Sequence, residues 1–103
     1  MSDLAAIDYS RRAFEDINRL DEYLALQESP LKGKLAAFLA KAVTILSLQP
    51  GIGRPTSKSH RELIVHRGRS GYLVRYCYDR EQQTVTVLRI RHQSESGYTL
   101  DEI

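Results

Sequence analysis

The chain has 103 residues, 42% of them hydrophobic and 27% charged, with a formal net charge of +2. That is enough for one core and too little for two, and the composition is that of a globular domain, not a disordered or collagen-like chain. The single cysteine, Cys77, excludes an internal disulfide and fits a reducing compartment.

The opening stretch "MSDLAAIDYSRRAFEDI" carries acids and arginines where a signal peptide needs an apolar run. No later run is long enough to cross a membrane as a helix, so one cytoplasmic domain over residues 1–103, without membrane contact, is expected. Ala5 to Tyr9 reads either as a first strand or as the lead into a helix. Ser10 is a suitable N-cap, and Ala13, Ile17, Leu20 and Leu24 then recur at helical spacing, with Arg12, Glu15, Arg19 and Glu22 on the opposite face. Ser29-Pro30 restarts the chain, since serine caps and proline suits a first helical position. Leu35, Phe38, Leu39, Ala42, Ile45 and Leu46 form a second apolar stripe, so the two helices should make an antiparallel hairpin.

"QPGIGRP" stops the second helix, because Pro50 disfavours helical geometry at Gln49, and a loop should follow to about Ser59. The period then becomes two. "RELIVH" (61–66) is a strand, "RGRSG" a turn, "YLVRYCYD" (72–79) a strand, "REQQ" a turn, and 84–92 a third strand. Strands with short connections form an antiparallel meander, and the helical hairpin is the only body available to cover one face of it. The class is α+β.

The charge is uneven. Through Gly51, six bases face seven acids; from Arg54 to His92, nine bases face three acids. The basic half includes Arg61, Arg67, Arg69, Arg75, Arg89 and Arg91, and arginine is suited to paired contacts with phosphate or carboxylate. These six and His92 are the candidate surface for an acidic protein segment or a nucleic acid. The alternative is that arginines on an exposed sheet face serve solubility and discourage edge pairing.

No cofactor is expected. His60, His66 and His92 lack metal-ligand spacing, and the glycines of "PGIGRP" match neither a P-loop nor a dinucleotide fingerprint. The polar burst in "RIRHQSESGY" offers His92, Tyr98 and Arg91 as acid, base and cation for metal-free RNA cleavage. The plainer reading, favoured from the residues alone, is that His92 and Gln93 end the strand and Tyr98 packs on the sheet edge.

The ordered set "PGIGRP", "REL", "SGY" and "RHQ" before a closing "GY" resembles the ParE/RelE superfamily of type II toxin–antitoxin toxins, most nearly its ParE branch, over nearly the whole chain. The resemblance implies an N-terminal strand, a helical hairpin and a three-stranded antiparallel meander. RelE-like members are ribosome-dependent mRNA endonucleases with lysines on the first meander strand, an arginine after the Gly-Tyr of the next, and an arginine and tyrosine near the C-terminus. Here those positions read Ile64, His66, Leu73 and His92, and only Tyr98 matches. ParE-like members act instead on DNA gyrase without catalytic residues, and an antitoxin tail neutralises them. The resemblance thus implies a gyrase-directed toxin with a cognate antitoxin. The alternatives are an mRNA interferase with a substituted site, acting on ribosome-bound mRNA, and a degenerate, non-toxic binding module. It leaves open whether the chain forms a homodimer or a toxin–antitoxin heterotetramer.

Overall fold

The computed structural model describes residues 4–28 and 34–95. The Ser29-Pro30 restart and Tyr98 lie outside them. The first strand, β1 (Ala6–Tyr9), is followed by α1 (Arg11–Glu28), α2 (Lys34–Ala42) and α3 (Ile45–Leu48). The strands β2 (Arg54–Pro55), β3 (Arg61–Arg67), β4 (Ser70–Asp79) and β5 (Thr84–His92) complete the order. The five strands form one sheet in the order β1-β5-β4-β3-β2, antiparallel except for the β1–β5 pair.

Ser10 does double duty at the start of α1. Its Oγ accepts the Ala13 N–H at 3.1 Å, which caps the helix, and donates to the Leu88 carbonyl at 2.8 Å, which ties the cap to β5. The ambiguity at Ala5 to Tyr9 resolves to a strand because β5 supplies a parallel partner, Ala6 to Tyr9 lying opposite Thr84 to Val87.

The second apolar stripe is divided between two helices. The Thr44 hydroxyl donates to the Lys41 carbonyl at 2.7 Å, and the backbone there tightens to bonds from Thr44 to Lys41, Leu46 to Val43 and Ser47 to Thr44. The turn keeps Leu35, Leu39, Val43 and Leu46 on the buried side, joined by Ala13, Ile17, Leu20 and Leu24 of α1. The expected loop to Ser59 also needs correction, because Arg54 and Pro55 pair with Glu62 and Arg61 as a fifth, edge strand. Proline is tolerated there because the outer side of an edge strand needs no donor.

The meander forms as expected. Gly68 opens its first hairpin at φ +60, a conformation that glycine adopts at no steric cost. Val65, Tyr72, Val74, Tyr76, Val85, Val87 and Ile90 bring one sheet face into the core with the helices. The register slips by one residue between Arg75/Tyr76 and Arg89/Val87, so Leu88 is the extra residue of a bulge. Tyr76 is fully buried. Its hydroxyl donates to the Pro50 carbonyl at 2.6 Å and accepts the Gly53 N–H at 2.9 Å, which pins the "QPGIGRP" loop to the core. A Cβ on Gly53 would stand 2.7 Å from the Tyr76 ring, so this close approach requires glycine.

Candidate functional site

Where β1 runs out, the exposed edge of β5 is taken over by side chains. The Asp16 carboxylate accepts the Ile90 N–H at 2.8 Å and receives the Arg89 guanidinium through Nε at 2.9 Å and Nη2 at 3.2 Å. Arg19 donates to the same carboxylate at 3.2 Å and also bonds Glu95, whose Oε1 accepts the His92 N–H at 2.9 Å. The edge thus ends in a charged network instead of a row of open backbone groups.

Asp16, Arg19 and Glu95 were not singled out from the sequence. One signal was available for Asp16: it follows Ala13 by three residues and precedes Leu20 by four, which places an acid on the buried stripe. A carboxylate there requires a buried cation, and Arg89 supplies it. This corrects the place of Arg89, which is 7% exposed and spent on Asp16, so its guanidinium is not part of a binding surface.

The register separates Arg91 from His92. Cross-strand partners share a face, so Tyr72 and His92 lie on the helix-covered side, whereas Ile64, Leu73 and Arg91 form one row on the other side. His66 is on that open side too, opposite Gly71. The resemblance puts His92 at the C-terminal arginine position of the nuclease pattern, and the register corrects this. On the open face the residue in the row with Ile64 and Leu73 is Arg91, and its Nη1 donates to the Glu95 carbonyl at 2.9 Å.

His92 lines a groove with Arg19, Leu20, Tyr23, Ser94 and Glu95, of about 330 Å³, which continues past Leu24, Ser70 and Tyr72. Its ring meets Tyr72 edge-on at 5.2 Å. The Ser94 backbone N–H donates to Nδ1 at 3.0 Å, with the Ser94 hydroxyl 2.7 Å from the same nitrogen. Nδ1 is therefore already engaged by the Ser94 N–H. Tyr23 leaves an aromatic ring exposed at the groove's rim.

The other candidate arginines are scattered. Arg75 stands between Glu62 and Arg89 on the face away from the helices, in a cross-strand row that begins with Arg54; the Arg54–Glu62 ion pair measures 3.0 Å. Arg67 ends β3 and Arg69 is exposed on the hairpin turn, both at the His92 end of the sheet. Arg61 is at the opposite end, donating through Nη1 to the Gly51 and Gly53 carbonyls at 3.1 and 2.7 Å. The seven candidates thus belong to two faces and two ends, not to one patch.

A parallel N-terminal strand, helices on one face and an antiparallel meander with a charged edge define a small α+β domain. The chain belongs to the ParE toxin family: the model of the ParE toxin of the type II toxin–antitoxin system parDE matches residues 7–97. No curated protein matches the chain by sequence.

Solved structures share the fold. The chromosomal ParDE system of Pseudomonas aeruginosa is 20% identical over 86% of this chain and 96% of its own, with a TM-score of 0.70. The RelBE2 toxin–antitoxin complex of Mycobacterium tuberculosis is 23% identical over 92% of this chain and 98% of its own, at 0.62. The intact Escherichia coli RelBE complex is 17% identical over 84% of this chain and 93% of its own, at 0.57.

Proposed function

We propose that this type II toxin acts by binding, as an inhibitor of DNA gyrase neutralised by a cognate antitoxin, and not by cutting RNA. The observation that carries this reading is the split between Arg91 and His92. Metal-free cleavage needs a base, an acid and cations converging on one phosphate, and the cationic term is usually the largest. Here the cross-strand row that ends at Arg91 holds only the apolar Leu73 and Ile64, the Arg91 guanidinium is tied to the Glu95 carbonyl, and His92 is turned to the other face with Nδ1 occupied. The structural relatives at 20% and 23% identity are described as toxin–antitoxin systems, which supports an antitoxin as the partner.

The test is paired: purified toxin with gyrase and plasmid DNA, and toxin with translating ribosomes and mRNA. Inhibited supercoiling that survives His92→Ala is expected. Ribosome-dependent cleavage abolished by His92→Ala would overturn the proposal.

A further inference from the structure

The end of the sheet remote from His92 carries a cleft of about 340 Å³ between the pinned "QPGIGRP" loop, the turn before β3 and the β4–β5 hairpin. Its charged lining is Lys58, Arg61 and Arg80, beside His60 and the hydroxyls of Ser57 and Ser59, and no carboxylate faces it. Among the described residues no ion pair engages Lys58, Arg61 or Arg80. That is the reverse of the His92 end, where acids neutralise the cations. A cluster of three cations without acids repels itself, and an anion would relieve the repulsion.

The site is also preorganised. Arg61 spends one terminal nitrogen on the Gly51 and Gly53 carbonyls, which fixes its planar fork while its remaining N–H groups stay available. Tyr76 holds the same loop from below through Pro50 and Gly53. Arg61 therefore loses little freedom on binding, while Lys58 and Arg80 are exposed side chains that can close on the anion.

We infer that this cleft binds a phosphate group. Two guanidinium groups, an ammonium and two hydroxyls around one cavity suit an anion with several terminal oxygens and more than one charge better than a single carboxylate. The volume is at the lower end for small-ligand sites, enough for a phosphate with part of what it is attached to. The phosphate belongs either to a small molecule, such as a mononucleotide, or to a nucleic-acid backbone. This binding is independent of the gyrase reading.

Backbone amide shifts of the full chain would be recorded by NMR during titration with inorganic phosphate, AMP or a short DNA duplex. Acetate at matched ionic strength and a glutamate-rich peptide serve as competing anions. Saturable shifts confined to residues 57–61 and Arg80 are expected. Lys58→Ala and Arg80→Ala should each weaken binding about threefold, and together about tenfold if the two act independently. Arg69→Ala, at the other end of the sheet, should leave phosphate binding in the cleft unchanged. Saturation by phosphate or AMP identifies a small-molecule phosphate, and saturation by the duplex alone identifies backbone phosphate. Failure of all three to saturate, or a peptide or acetate response equal to that of phosphate, overturns the inference.

Discussion

The two ends of the sheet are built from the same residue types and solve opposite problems. At the His92 end, Arg19 and Arg89 are neutralised by the Asp16 and Glu95 carboxylates. At the Arg61 end, Arg61 is fixed by backbone carbonyls that carry no net charge, and no acid lines the cleft it shares with Lys58 and Arg80. The lesson is that an arginine count describes binding capacity poorly. What matters is whether each guanidinium has already met a carboxylate.

The largest effect that would sharpen this contrast is at the buried pair. Asp16→Ala should cost about 3–5 kcal/mol, because it removes a carboxylate that neutralises the buried Arg89 guanidinium. Replacing both partners, as Asp16→Leu with Arg89→Met, should cost much less than Asp16→Ala alone, and chemical denaturation of the three variants reads the difference. Equal losses would mean that Arg89 finds another partner.

At the other end, Tyr76→Phe should cost about 1–3 kcal/mol by leaving the Pro50 carbonyl and Gly53 N–H unpaired. It should also loosen the loop that fixes Arg61, which hydrogen exchange at Gly53 would show. The same residue contributes a pH dependence. Burial raises the phenols of Tyr76 and Tyr9 above the ordinary 10.0 and the Cys77 thiol above 9.0. The folded chain then holds protons that the unfolded chain has lost. Stability from these groups is complete below about pH 9 and falls as pH rises through the ordinary values and then the raised ones. Denaturation midpoints measured from neutral to alkaline pH should show that fall, and Tyr76→Phe should flatten part of it.

Smaller effects are expected on the exposed turns. Arg69→Glu should weaken antitoxin binding a few-fold, by about 0.2–1 kcal/mol, and more at low salt than at high salt, because screening erodes exposed pairs. Unchanged affinity at every salt concentration would exclude the turn as a contact. Gln83 adopts φ 50 in the β4–β5 hairpin, where a side chain is strained. Gln83→Gly should therefore raise stability by roughly 0.5–1 kcal/mol in thermal unfolding, the size of the usual glycine preference at such positions.

Much of this protein could be read from the chain. The helical stripe from Ala13 to Leu24, the cap at Ser10, the stop at Pro50 and the alternation from Arg61 to His92 depend on neighbours within a few residues, and local rules suffice for them. The same holds for the family signature. Period two already puts the adjacent Arg91 and His92 on opposite faces, but residues alone could not say which face each takes, because a bulge at Leu88 decides it. Nor could the chain show that Arg89 meets Asp16, 73 residues away, while Lys58, Arg61 and Arg80 converge without an acid. Sequence by itself determined the class and most of the elements. Which charges are cancelled, and which are left to bind, was decided only by tertiary structure, because ion pairing depends on distance in space and not along the chain.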